Sequence, residues 1–200
     1  MKKIIIILFI VLLGTKLNLI SKQTKDKITY NQNQVIAASY IAPKSLKQLE
    51  DISPIIVKGK FTGERKKDKD PSVIGPSTIS KFEINKVYKG NINENKISVL
   101  EPFEIKDNDF NNIEGYIPMD ENSEYILFLK ENKTKYGIQY TIKSISFGRY
   151  NISINNKIKP HKSKINYLEE AISNEFISES QEICDNYNKI KSSVLDKYLD

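Results

Sequence analysis

Glu124-Tyr125-Ile126-Leu127-Phe128-Leu129, a turn at Asn132-Lys133-Thr134, and Tyr136-Gly137-Ile138-Gln139-Tyr140-Thr141-Ile142-Lys143 decide the fold of this chain. The first run is apolar on both faces, so it reads as a central strand covered on both sides. In the last, Tyr136, Ile138, Tyr140 and Ile142 alternate with Gly137, Gln139, Thr141 and Lys143. Side chains of a strand point to opposite faces in turn, so this is a half-buried strand whose aromatic and aliphatic face belongs to the core.

Upstream, Ile55, Val57, Gly59 and Phe61 fall on one face of a strand, with Ile56 and two lysines on the other. Gly59 on the buried face predicts a bulge or a close approach of another backbone. Residues 64–76 read as a charged loop. A second strand covers 78–88, with Phe82, Ile84 and Tyr88 on one side, and Lys89-Gly90-Asn91 turns the chain. A third strand at 96–100 is closed by Pro102, and 102–123 reads as a long acidic loop. Downstream, 145–158 predicts a last strand or hairpin turning at Asn155-Asn156.

The period is helical at both ends. Ser45 and Gln48 form a capping box for a short helix that Ser53-Pro54 stops. Ile165, Leu168, Ile172, Phe176, Ile183, Tyr187, Ile190, Val194 and Tyr198 recur at three- and four-residue steps apart from one gap. They form an amphipathic stripe that is one helix or a pair, with Ser178 and Gln181 as a second capping box at the gap. Strands at hairpin spacing flanked by helix predict an α+β fold: a small antiparallel barrel or sandwich, with a C-terminal amphipathic helix or helix pair. The expected organisation is a signal or anchor helix at 1–20, a linker at 21–43, the barrel at 44–158 and a helical extension at 159–200.

The order Ile55-Ile56-Val57-Lys58-Gly59-Lys60-Phe61, Phe82-Glu83-Ile84-Asn85-Lys86-Val87-Tyr88-Lys89-Gly90, Lys96-Ile97-Ser98-Val99, 124–129 and Gly148-Arg149-Tyr150-Asn151-Ile152 resembles a group of exported bacterial proteins. Their core is similar to the netrin/tissue-inhibitor-of-metalloproteinase module. The resemblance spans about residues 50–154 and implies an OB-like barrel. Animal inhibitors of that family chelate a protease zinc through an N-terminal cysteine. This chain has no cysteine before Cys184, so the resemblance implies a fold and no functional residue.

Met1-Lys2-Lys3 precedes an apolar run from Ile4 to Leu13 and then Gly14, the layout of a secretory signal. The run is about half the ~20 apolar residues that a membrane-spanning helix needs. Leu13-Gly14-Thr15 is a poor cleavage site, so an uncleaved N-terminal tether stays open beside removal. The expected location is extracellular, or on the outer face of the cytoplasmic membrane, with membrane contact only through this segment. The formal net charge is +6, but without Lys2, Lys3 and Lys16 it falls to +3, 28 basic residues against 25 acidic. The basic residues are spread among acidic ones, so no nucleic-acid partner is expected. One cysteine excludes an internal disulfide.

Tested by chemistry, most motifs fail. One histidine, His161, and one cysteine cannot complete a zinc site of nitrogen and sulfur ligands. His161 lies in a Pro-Lys linker without a nucleophile motif, so it reads as an exposed linker residue. Cys184 reads as a half-buried structural thiol. Asp107-Asn108-Asp109-Phe110-Asn111 spaces oxygen ligands as a calcium loop opens, with Glu114 and Asp120 as irregular additions. Asn112 replaces the turn glycine and Pro118 the bidentate glutamate, so the bland reading is a solvated polar loop. Tyr136 and Tyr140 with Lys133, Lys135 and Lys143 imitate a stacking platform; their shared face reads as core instead. The 65–70 run reads as a solvated hairpin tip.

The expectation is therefore an exported, non-enzymatic binding or interaction module at the bacterial surface. No catalytic, cofactor-binding or metal residues and no cofactor are assigned. Its partner is a protein or surface ligand of unknown identity, and its oligomeric state is open. The rivals are a protease inhibitor that probes with the 102–123 loop, and a hydrolase using Glu101, Glu104 or Asp107.

Overall fold

In a computed structural model, which describes residues 27–30, 40–70, 75–154 and 156–199, the two-sided 124–129 run is hydrogen-bonded on both edges. The strands are β1 (Thr29–Tyr30), β2 (Ile55–Lys67), β3 (Thr78–Lys89), β4 (Lys96–Glu101), β5 (Phe103–Lys106), β6 (Asp109–Asn112), β7 (Glu124–Thr134), β8 (Gly137–Ile142) and β9 (Arg149–Asn151). The helices are α1 (Leu46–Asp51), α2 (Leu168–Ala171) and α3 (Gln181–Tyr198), with a 3-10 turn over Ile145–Gly148.

The fold is mixed α+β and rich in sheet, and five of its strands form a barrel-like sheet. Their pairing runs β2–β3–β4–β8–β7 and returns from β7 to β2. One of these pairings, β4–β8, is parallel, which corrects the expectation of a purely antiparallel sheet. A parallel neighbour needs a crossover, and here β5, β6 and β7 supply it. The first half of β7 pairs with β2 on one edge and β9 on the other, and its second half pairs with β8.

Alternation along β7 divides the core in two. Tyr125, Leu127 and Leu129 point inward with Val57, Phe82 and Val99, whereas Ile126 and Phe128 point outward with Ile56. Leu49 of α1 and Cys184, Tyr187, Ile190 and Val194 of α3 cover that outer face. The Ser45 cap is present, its side chain accepting from the Gln48 N–H, while Gln48 Oε1 accepts from Lys44 N–H. Cys184 is fully buried, and burial, helped by the Asp185 charge, pushes its thiol up, as a structural cysteine requires.

Several expectations change. The charged loop from 64 is strand as far as Lys67, because β2 and β3 stay paired to Lys67 and Thr78. Between the Phe61–Phe82 and Arg65–Ser80 pairs β2 carries two more residues than β3, a bulge that includes Gly63 at φ 86°. The 102–123 loop contains a hairpin, β5–β6, whose two-residue turn is Asp107-Asn108 at φ 51° and 65°. Phe103, Phe110, Tyr116, Ile117 and Met119 of this segment are buried. Apolar residues at alternate positions outweighed the acidic composition.

Of the last strand or hairpin expected over 145–158, the strand is present as the short β9, preceded by the 3-10 turn; Asn155 of the expected Asn155-Asn156 turn lies outside the described residues. The helical stripe is two helices of unequal length. The long one is capped by Ser180, not Ser178, through its side chain accepting from the Ile183 N–H. Part of the expected linker is held as well, since Thr29 and Tyr30 pair in parallel with β6 and Tyr30 is buried. The expected signal or anchor falls outside the described residues. Among the described residues no helix is long and apolar enough to cross a membrane.

Gly59 has the role its position predicts. A Cβ there would lie 2.0 Å from the Glu83 carbonyl oxygen, and the β2–β3 register shifts between Lys58 and Gly59. Gly59→Ala forces the two strands apart and is expected to lower stability by about 1–3 kcal/mol or more in urea unfolding; an unchanged midpoint contradicts this close approach.

Candidate functional site

The carboxylates expected to do chemistry are structural or separate. Glu101 is 0% exposed. Its Oε1 accepts from Ser80 Oγ and from Arg65 Nε and Nη2 at 3.2 Å each. Its Oε2 accepts from Tyr116 OH at 2.9 Å and Met119 N–H at 2.8 Å. Both oxygens are thus engaged inside the protein, with no face left for a substrate. Asp107 is an exposed turn residue, and Glu104 is half-buried on β5. Among the described residues no group of three or more His, Cys, Asp or Glu is placed to hold a metal. His161 donates its backbone N–H to Ser178 O at 2.8 Å, and its Nε2 is buried, without a partner among the described residues, rather than exposed.

Arg65 also departs from the solvated-tip reading. The bulge in β2 aims its guanidinium over the Phe61 ring at 3.8 Å and into the Glu101 carboxylate, leaving 30% of the side chain exposed. This pair ties the long β2–β3 hairpin to β4 and to the segment after β6.

A second buried network was not legible in advance. Glu175 Oε2 accepts from Asn151 N–H and Tyr187 OH at 2.6 Å each, and Oε1 from Lys191 Nζ at 2.5 Å. Arg149, fully buried, places its guanidinium 4.5 Å from the Tyr116 ring centroid and donates to the Glu175 carbonyl. The one signal in the sequence is Lys191, which stands four residues after Tyr187 on the apolar stripe of α3, where a solvated lysine has no place. The helix that the stripe predicts ends early: after Ala171 the chain turns, with Asn174 N–H donating to Ala171 O at 2.9 Å, which brings Glu175 inside, and Ile177 N–H donates to Gly115 O at 2.8 Å.

The exposed chemistry lies at one end of the barrel-like sheet, where the β2–β3 and β7–β8 connections meet. Tyr136 and Ile138 do not join the core: they are 54% and 45% exposed, while Tyr140 and Ile142 are buried. The β7–β8 hairpin overshoots the core, so among the described residues Tyr136 and Ile138 on its outer half are left largely uncovered. Lys66, Lys67, Asp68, Lys69 and Tyr136 surround a cleft of about 260 Å³ over Ile79 and Gln139. Tyr136 OH reaches across to Lys69 O at 3.4 Å. Gln139 is 4% exposed, and its Oε1 has no partner among the described residues. A buried amide oxygen without a donor costs about 1–3 kcal/mol, so this is a place where a bound group would supply what the fold omits. Of the residues that composition had grouped, Tyr136 lines the cleft and Lys135 sets its ammonium 5.0 Å from the Tyr136 ring centroid, while Lys133 pairs with Glu131 and Tyr140 lies inside; the cleft's own lysines come from β2 and the connection after it.

No family model matches the chain, and the search of curated proteins gives no match.

Two stability experiments test these networks. Replacing Glu175 by Gln leaves the Lys191 ammonium buried without a counter-charge, and the loss expected in urea unfolding is about 3–5 kcal/mol. The double variant Glu175→Gln/Lys191→Met should recover part of it. The second experiment is an alkaline titration. Burial, reinforced by Glu101 at Tyr116 and by Glu175 at Tyr150 and Tyr187, holds all three phenols well above their ordinary range. In the unfolded chain they ionise near pH 10, while the folded chain keeps the protons. Stability is thus intact below pH 10 and falls above it, by about 4 kcal/mol per pH unit once all three ionise in the unfolded state. Thermal unfolding between pH 8 and pH 11 reads this directly.

Proposed function

We propose that the chain is an exported, non-enzymatic binding module that takes an anionic surface polymer in the cleft between the β2–β3 and β7–β8 connections. The observation that carries this reading is the cleft itself: three lysines against one aspartate, Asp68, whose carboxylate already accepts from Asp70 N–H and Ser77 Oγ, and an exposed tyrosine, around a buried Gln139 amide oxygen that has no partner among the described residues. Lysines attract negative charge, a tyrosine ring offers a flat face, and the amide oxygen accepts from a hydroxyl or N–H of the ligand.

The fold is read here as an OB-like barrel. Counting β2, β3, β4, β7 and β8 as the first to fifth strands, the pairing order is 1-2-3-5-4 and back to 1. In such barrels the loops after the first and fourth strands form a ligand-binding end, and the lysine-rich cleft lies between those two connections. The expected signal keeps the site outside the cytoplasm, which favours a phosphate- or carboxylate-bearing polymer over nucleic acid. The protease-inhibitor reading loses support because its probe segment is folded into the core. The hydrolase reading loses support because Glu101 is enclosed.

Calorimetric titration with inorganic polyphosphate, dextran sulfate, neutral dextran and single-stranded DNA tests the proposal. The two non-nucleic polyanions should bind and neutral dextran should not. Lys66→Ala/Lys67→Ala/Lys69→Ala should weaken binding at least tenfold, Tyr136→Ala several-fold, and 0.5 M salt should weaken it strongly. Absence of polyanion binding, or binding indifferent to the lysines, overturns it; tighter binding of single-stranded DNA replaces the ligand with nucleic acid.

A further inference from the structure

The polar floor of the lysine-lined cleft constrains the uncharged part of its ligand. Tyr140 and Ile142 of β8 face the core, so alternation turns Gln139 and Thr141 to the other side of the sheet. Gln139 stands opposite Asn132 of β7, yet the Asn132 amide donates to Thr141 Oγ1. The donor directly across the ladder is thus taken. Tyr136 supplies none either, because its OH donates to Lys69 O at 3.4 Å. Gln139 Oε1 is left buried at the cleft without a partner among the described residues.

The charged wall is of one kind. Lys66, Lys67 and Lys69 are exposed side chains of β2 and the connection after it. A compact ammonium approaches a tetrahedral phosphate from any side, whereas the planar fork that matches a carboxylate belongs to arginine. Among the described residues no arginine lines the cleft, and Arg65 is turned to Glu101. The wall therefore favours phosphate over carboxylate.

Phosphate alone does not complete the site. A bare phosphate chain meets the lysines but brings Gln139 only acceptor oxygens, and an acceptor facing an acceptor is unfavourable. A ligand with an O–H a few atoms from its phosphate satisfies both groups. The buried Ile79 side chain and the exposed face of Tyr136 suit the C–H groups that join them. At about 260 Å³ the cleft is small for an organic ligand, which suits one phosphate and a short alcohol. We propose that the cleft recognises a phosphate ester of a short polyol, the lysines holding the phosphate and Gln139 Oε1 accepting from a hydroxyl of the alcohol part. This rests on the reading of the cleft as an anion site and adds the chemistry of the uncharged part. The same unit occurs in a soluble or polymeric phosphate ester and in a lipid headgroup.

The test is a calorimetric titration of the full chain with sn-glycerol 3-phosphate, propyl phosphate and glycerol. The two esters carry the same phosphate on the same length of carbon chain, and only the first has hydroxyls. Glycerol 3-phosphate should bind about fivefold or more tightly than propyl phosphate, the worth of one added hydrogen bond, and glycerol should not bind. Gln139→Leu should bring the ratio of the two affinities close to one, and so should Gln139→Met. Urea midpoints recorded alongside show whether each variant is folded, and the ratio in the unaltered chain decides without them. Sedimentation with phosphatidylglycerol vesicles, reversed by glycerol 3-phosphate, identifies a lipid headgroup as the source; glycerol 3-phosphate binding without sedimentation identifies a soluble or polymeric ester. Equal affinity for the two esters, with polyphosphate still bound through the lysines, overturns this inference and leaves the anion site standing. Failure of polyphosphate and of both esters to bind removes the two together. A preference that survives in folded Gln139→Leu overturns the role of Gln139.

Discussion

The Glu175 carboxylate holds the two halves of this protein in one arrangement. It is reached from β9 through Asn151, from α3 through Tyr187 and Lys191, while its own carbonyl receives Arg149. A carboxylate and an ammonium this deeply buried are stable only when every hydrogen-bonding direction is filled. That requirement fixes where the chain before α3 must run and the rotation of α3 about its axis. The aromatic cluster of Phe147, Tyr150, Phe176 and Tyr187 closes around the same point, with Tyr150 and Tyr187 stacked at 5.0 Å between ring centroids. Apolar burial supplies the non-directional attraction; the carboxylate selects the register.

Glu101 does the same at the other side of the sheet. Its five donors come from β2, β3 and the segment after β6. The hairpin β5–β6 and the chain that follows are thereby fixed beside the barrel-like sheet, and Tyr116 links the two networks by offering its ring to Arg149. With no disulfide available, these buried polar centres take over the task of specifying one arrangement among several of similar apolar burial. They leave reachable chemistry at the lysine-lined end of the barrel-like sheet.

Much of the fold was legible from periodicity. The 124–129 run predicted a strand covered on both faces, and β7 is one; Gly59 predicted a close backbone approach, and Glu83 makes it. The Ser45 cap followed from the spacing of Ser45 and Gln48. The errors share a cause. Acidic composition hid the β5–β6 hairpin, because Phe103 and Phe110 count for more than the Asp and Asn residues between them. Tyr136 and Ile138 have the pattern of a core strand but lie beyond the end of the core, and alternation carries no information about where a core ends. Of the lysine-lined cleft, Tyr136 was visible; Lys66, Lys67 and Lys69 come to it from a part of the chain distant in sequence.

The sequence by itself determined the principal strands and the capped helices at both ends, because side-chain period and local hydrogen-bonding residues act over a few neighbours. It determined that no internal disulfide forms, from a single cysteine. Tertiary structure alone decided which charges are buried and which are exposed. Glu101 and Glu175 look in sequence like any other surface acids, and Tyr136 looks like core. Burial depends on what lies across the fold, and those partners are set by pairing and packing over 12 to 36 residues in the two networks, beyond the reach of any local pattern.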